Sequence, residues 1–252
     1  FVLSYGAADD GYGLGIILEI ADLVSRDSDN WNNGIKILFT DSEESDLEGI
    51  SNAYINNKEI FKNVALAINI EARGVKGPAI LFETSDNNQA LIKYYQKNAR
   101  KRFGFSMTST VYNILPNFTD FTVIKDSING YNFSVIDNLE YYHTNKDNFY
   151  NINLASIQHY GEQIYPIVSS FLRDKEITGQ NHFESTTNSI FFVIPFIGFF
   201  VFSKSVILLL SLLFITTYIF LFWIYYVQKR VNIRAVLKSL VSNLIFILLI
   251  SV

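Results

Sequence analysis

Four short stretches carry residue types that could do chemistry together. Asp9 and Asp10 sit side by side in the glycine-rich stretch Gly6-Ala7-Ala8-Asp9-Asp10-Gly11-Tyr12-Gly13, and Glu43 and Glu44 are paired in Asp41-Ser42-Glu43-Glu44. Glu71 ends the apolar run Val64 to Ile70, and His143 lies in Glu140-Tyr141-Tyr142-His143. Carboxylates with one imidazole are the donor set of a divalent-metal site. Taken singly, each stretch has a plainer account. The first loop can be a helix cap; as a dinucleotide fingerprint it fails, because position 16 is Ile16 and two aspartates repel phosphate. Paired glutamates commonly lie on a solvated face, and a lone histidine is as often a surface residue. Glu71 differs, since a carboxylate closing so apolar a run is partly buried and needs a partner or a metal. His159 reads as structural inside a helix, and His182 carries no argument.

These residues need elements to hold them. Leu14, Ile17, Leu18, Ala21 and Val24 recur at helical spacing, which predicts a helix directly after the glycine-rich loop. Ile35 to Phe39 predicts a strand, and about Asp46 to Asn57 a helix. Val64 to Ile70 reads as a strand buried on both faces. Further strands are expected at Ala79 to Phe82 and Asn132 to Ile136, with helices from about Asn88 to Arg102 and Leu154 to Phe171. Strands alternating with helices predict an α/β layered domain with a mostly parallel, mixed sheet between helices. Ligands of such sheets sit at the carboxyl ends of the strands. Asp41, Glu43 and Glu44 follow one strand, Glu71 ends another and Tyr141-Tyr142-His143 follow a third, so the candidate donors converge on one rim.

Composition divides the chain in two. Residues 1–188 hold 15 of the 20 Lys and Arg and all 24 Asp and Glu, whereas residues 189–252 hold five basic residues and no acid. The acidic part offers no basic stripe for nucleic acid, and zero cysteine excludes disulfides, thiolate metal sites and cysteine nucleophiles. Val206 to Val227 is long and apolar enough to cross a bilayer, so an integral membrane protein is expected, with the lipid bilayer as a partner. Ile190 to Phe202, with Pro195 inside, is a marginal span, and the chain ends in another apolar run, Leu240 to Val252. The expected organisation is an α/β domain over 1–174, a polar linker over 175–188 and transmembrane helices within 189–252, with both ends reading as cut.

In chain order the motifs resemble one family. Gly-Ala-x-Asp-Asp-Gly-x-Gly is followed by Phe39-Thr40-Asp41-Ser42-Glu43-Glu44, then Asn69-Ile70-Glu71-Ala72-Arg73-Gly74, then Tyr142-His143-Thr144 with Asp147. Supporting stretches are Gly77-Pro78-Ala79, Leu115-Pro116-Asn117-x-Thr119-Asp120-Phe121 and Gln158-His159-x-Gly161. Over residues 5–172 this is similar to the co-catalytic zinc aminopeptidases, family twenty-eight of the metallopeptidases, in the membrane-attached branch of the endoplasmic-reticulum and vacuolar membrane proteases. The resemblance implies a peptide substrate and two zinc ions in a complete site. It implies that Asp9 bridges the ions and is joined to Asp10 by a cis peptide, that Glu44 and His143 bind one zinc and Glu71 the other, and that Glu43 is the general base. Tyr142 stands where some members place a tyrosine that polarises the scissile carbonyl.

One departure qualifies this reading. The family draws a further zinc ligand from a His-x-Asp motif upstream of the first loop, and residues 1–5 contain no histidine. The sequence given is therefore expected to hold at most one zinc well and to be poorly active. Two other functions share the fold: a receptor or scaffold that has lost metal ligands, and a single-zinc glutaminyl cyclase. Retention of Glu43 favours the peptidase. Membrane sidedness divides two ways. Lys229, Arg230, Arg234 and Lys238 predict a cytoplasmic loop after the long span, which would put the peptidase in the cytoplasm if Ile190 to Phe202 also spans. The resemblance instead implies an extracytoplasmic or lumenal peptidase, the placement adopted here.

Overall fold

A computed structural model describes residues 4–228 and, beyond them, 232, 234–236, 238, 239 and 241–243. Its centre is a sheet of three strands, β1 (Ala67–Ala72), β2 (Ile80–Thr84) and β3 (Gly130–Val135), in the order β1-β3-β2. β3 pairs parallel with β1 and antiparallel with β2, so the sheet is mixed rather than mostly parallel among the described residues. The middle strand is buried at every position, as a strand covered on both edges and both faces must be.

Period-two alternation gives this sheet two unlike faces. Ile70, Ala72, Tyr131, Phe133, Val135 and Leu81 belong to the main apolar core. They pack with α1 (Gly11–Ser25), α3 (Gln89–Asn98) and α6 (Leu154–Arg173), whose Tyr12, Ile16, Tyr95, Tyr160 and Ile164 belong to the same cluster. Asn69, Glu71 and Asn132 fall on the alternate positions, where polar side chains bond one another. Val64 to Ile70 was expected to be buried on both faces. β1 is instead an edge strand, half-buried at most positions and polar on one face. Shorter helices complete this part: α2 (Glu48–Asn56), α4 (Ser106–Tyr112) and α5 (Asp120–Ile124).

Two local patterns fold differently from their sequence signal. The helix after the first loop forms, but its buried stripe is Tyr12, Ile16, Ile20 and Val24, while Leu14 and Leu18 are 49% and 59% exposed. Two apolar stripes compete in that sequence, and the Tyr12 hydroxyl, donating to the Val75 carbonyl at 2.7 Å, belongs to the one that docks. Ile35 to Phe39 is not a strand in the structure. It is held by the Lys36 ammonium, which donates to the carbonyls of Glu59, Ile60 and Lys62. A strand needs a neighbour, and a cavity of about 520 Å³ lies between this segment and β1.

Ile190 to Phe202, expected as a marginal span, folds as a hairpin of β4 (Ser189–Ile194) and β5 (Gly198–Ser203). Phe191 enters the main core, and the preceding segment docks there too through the buried Phe183. α7 (Lys204–Val227) follows, 24 residues and thus about 36 Å long, apolar and long enough to cross a membrane. It is the one such helix among the described residues, where several were expected. Most of Leu240 to Val252, and Lys229 and Arg230 of the basic loop, lie outside the described residues. The chain divides into two compact units, residues 1–204 and 205–252.

Candidate active site

The first loop is shaped by close contacts that few residues would tolerate. Gly6 adopts φ 63°, and its carbonyl accepts the Gly11 N–H at 3.0 Å. Asp10 caps α1 by accepting the Gly13 N–H at 3.0 Å. A Cβ on residue 13 would lie 2.1 Å from Asp10 Oδ2, so any side chain there would displace the capping carboxylate. With the helix start fixed, Asp9 projects beside it, and the Asp9–Asp10 peptide is cis. Asp147 grips the loop from the other side: Oδ1 accepts the Ala8 N–H at 2.7 Å and Oδ2 the Asp9 N–H at 3.1 Å. Asp147 is itself 1% exposed.

The 136–149 loop leaves the carboxyl end of β3 and brings His143 to the same place. His143 Nε2 lies 2.5 Å from Glu44 Oε1 and 3.4 Å from Asp9 Oδ2. One donor atom from each of Asp9, Glu44 and His143 falls within 4.8 Å of the others, a spacing that could hold a metal ion. His143 has φ 56°, and the Tyr142 ring stacks on it at 3.7 Å between centroids. Glu71 is not a member of this three-donor group. Its carboxylate lies on the polar face of β1, accepting from Asn69 Nδ2 at 2.9 Å, and its backbone carbonyl accepts the Tyr160 hydroxyl.

The electrostatics mark out one crowded anionic pocket. Burial, then the neighbouring Glu44, Glu43 and Asp147, pushes Asp9 up to about 7. Burial pushes Asp10 up to about 8, against the Gly13 hydrogen bond and with Asp9 adding to it. Glu43 rises to about 7 through burial, then through Glu44 and Asp120. Glu71 is held well above the usual carboxylate range by burial, then by Asp10. Four acids thus hold protons more tightly than usual, with Arg73 the cation that acts to lower Asp9 and Glu43. A divalent cation would relieve this mutual repulsion, and carboxylate with imidazole is a donor set that zinc accepts. The residues therefore fit a metal.

Several contributors were not singled out by sequence. The Arg73 guanidinium lies 5.6 Å from the ring centres of both Tyr112 and Tyr142, and it donates to Asn117 Oδ1 and the Phe118 carbonyl. A chain of hydrogen bonds crosses the polar face of the sheet. Lys125 Nζ bonds Glu83 Oε1 at 2.6 Å, Asn132 donates to Glu83 Oε2, and Asn69 donates to both Asn132 and Glu71. Asp120 accepts from Thr40 at the end of the 34–41 segment. Asn69, Arg73, Asp120 and Asp147 stand inside quoted motifs, which was their only signal; Asn132 had none beyond being polar in an apolar strand. His159 is structural as expected, its Nδ1 accepting the Ala79 N–H at 3.1 Å.

Residues 1–168 match the profile of Peptidase family M28. The chain belongs to this family of peptidases. The M28 chain is 30% identical to human endoplasmic reticulum metallopeptidase 1 over 169 residues, which is 66% of this chain and 19% of the human protein. It is 30% identical to the vacuolar membrane protease of Debaryomyces hansenii over 161 residues, 62% of this chain and 15% of that protein. The mouse endoplasmic reticulum metallopeptidase 1 is also 30% identical over 169 residues, again 66% of this chain and 19% of its own length. The chain thus spans about a fifth or less of the curated relatives named here. No solved structure matches it. This M28 chain accordingly falls in the membrane-attached branch that its motifs implied.

Proposed function

We propose that this chain is the peptidase portion of a membrane-anchored zinc aminopeptidase, with Asp9, Glu44 and His143 holding a metal ion, Glu71 serving a second and Glu43 acting as general base. The observation that carries it is the convergence of the first three donors within 4.8 Å, beside a Glu43 carboxyl raised to about 7. Zinc, when bound, supplies Lewis acidity toward water and the scissile carbonyl. Glu43 takes a proton from the attacking water and returns it to the leaving amine, a task for which affinity near neutral pH suits a carboxylate. Tyr142 keeps its proton, because burial and then Asp9 raise its hydroxyl above the usual range, so it can donate to the carbonyl oxygen. Arg73 fixes the Tyr142 ring. The anionic rim supports the aminopeptidase type, since a free peptide α-ammonium is a cation such a pocket attracts.

The hairpin at residues 189–203 bears on sidedness. With α7 as the one candidate span among the described residues, ahead of Lys229, Arg230, Arg234 and Lys238 in the sequence, the positive-inside rule favours that basic stretch in the cytoplasm and residues 1–203 on the other side. The hairpin takes the place of the second crossing that the sequence offered, which supports a lumenal or extracytoplasmic peptidase.

The test is Glu43→Gln. Turnover of an N-terminal peptide substrate should fall about 10²–10⁴-fold with zinc content per chain unchanged. Activity surviving the change would overturn the general-base assignment. A substrate with N-terminal Gln separates the cyclase alternative: peptidase action releases the residue, whereas cyclisation releases ammonia.

A further inference from the structure

The β4–β5 hairpin has two apolar faces, and one of them packs into the core of its own unit. Its register pairs Phe191 with Val201 and Val193 with Phe199, and this face carries Phe191 into the core. The opposite face pairs Ile190 with Phe202 and Phe192 with Phe200. There Phe192, Phe200 and Phe202 stack on one another, with centroids 5.9 to 6.4 Å apart. At the turn, Phe196 and Ile197 are 110% and 70% exposed. The hairpin is also firmly seated: the Ser189 N–H donates to Asn88 Oδ1 at 2.8 Å and the Phe191 N–H to Ser106 Oγ at 2.7 Å. From Ser185 to Ser203 the sequence has no charged residue, in a part otherwise rich in acids.

We infer that this hairpin is a membrane-seated foot: its outer aromatic face and its Phe196-Ile197 tip lie in the interfacial layer of the bilayer that α7 crosses. Three observations select lipid as the occupant. β5 ends at Ser203 and α7 begins at Lys204, so the apolar surface is covalently continuous with the span. A half-buried aromatic face ending in an exposed apolar tip, both without charges, matches the layer between headgroups and acyl chains, where apolar faces bury several ångströms deep. No acid follows Glu184, so neither the hairpin strands nor the span carry a charge that repels an anionic leaflet. The consequence is mechanical. A single helix leaves an attached domain free to swivel, whereas a helix with a second contact point restricts how the peptidase unit faces its substrates. The inference rests on α7 as a span and not on the catalytic reading.

Because the chain has no cysteine, single-site spin labels report depth directly. Labels at Phe196→Cys and, in a second variant, Ile197→Cys would be compared in phospholipid nanodiscs carrying one copy of the full chain. Tyr150→Cys, at a residue 92% exposed, serves as the aqueous reference and Leu213→Cys in α7 as the lipid reference. The expected result is a several-fold lower accessibility to a water-soluble nickel chelate at 196 and 197 than at 150, with accessibility to oxygen raised. Equal accessibility at 196, 197 and 150, with 213 in lipid, overturns the foot and leaves the span intact. Protection that appears only when two copies share a disc assigns the surface to a second copy and also overturns it. A label at 213 that is open to the nickel chelate removes the span and the foot together, leaving the catalytic reading untouched.

Discussion

Replacing Asp147 should loosen the loop that carries Asp9, although Asp147 belongs to no donor group. Its two oxygens accept the Ala8 and Asp9 amides at 2.7 and 3.1 Å, and Ala8 is 1% exposed. Each hydrogen bond to a carboxylate contributes about 1.5–3 kcal/mol, and a buried amide left without a partner costs about 1–3 kcal/mol. In Asp147→Ala the Ala8 amide has no replacement, while water can partly serve the less buried Asp9 amide, so a loss of about 3 kcal/mol is expected. For a unit of this size that corresponds to a fall in Tm of about 6–12 °C. Asp147→Asn is the sharper variant. It keeps volume and one acceptor but turns an NH₂ group toward the second amide, donor against donor, so it should be destabilised by about 2 kcal/mol despite its shape. Thermal unfolding of the full chain in detergent measures this, and chelator competition measures zinc affinity, expected to weaken about 10–100-fold when the support of Asp9 is lost. An Asn variant matching the parent in both Tm and zinc affinity would refute the claim that this carboxylate positions the loop.

Two other outcomes follow from the electrostatics. Asp9 and Asp10 have folded pKa values of about 7 and 8 against 3.8 for an ordinary aspartate, so between roughly pH 4 and 8 the folded metal-free protein binds more protons than the unfolded chain. Its Tm should therefore fall as pH rises through that window, and added zinc should raise Tm most at the alkaline end; a pH-independent Tm without metal would contradict the crowded-acid account. Lys125→Met strands Glu83, which is 1% exposed, and should cost about 3–5 kcal/mol, whereas adding Glu83→Gln should recover most of it, since Gln can still accept from Asn132. Equal Tm for the single and double variants would show that the pair is not the source of the loss.

What could be read from the residues alone was governed by local chemistry. Glycines at 6, 11 and 13 around adjacent aspartates announce a tight loop opening a helix, and α1 begins at Gly11. The uncharged run from Val206 announces a helix long enough for a bilayer, because that length depends only on rise per residue. The order of the four motifs was sufficient for the family. Where two local patterns competed, the sequence could not arbitrate. Ile35 to Phe39 has strand composition but no ladder partner among the described residues, and Ile190 to Phe202 has the hydropathy of a short span. There the turn at Pro195-Phe196 and the anchoring of Ser189 and Phe191 decide for a hairpin.

Sequence by itself determined which side chains could act: two aspartates in a loop, two glutamates, a carboxylate after an apolar strand and one histidine after another. Tertiary structure alone decided which of them meet. Donors 35 and 99 residues apart fall within 4.8 Å because the loop after β3 carries His143 to Glu44 and to the Asp9 loop, which Asp147 grips. It decided as well that Glu71 faces Asn69 rather than joining the three-donor group, and that burial lifts Glu43 to about 7. Proton affinity and distance belong to an environment assembled from remote parts of the chain. Residue type and spacing cannot encode either one locally.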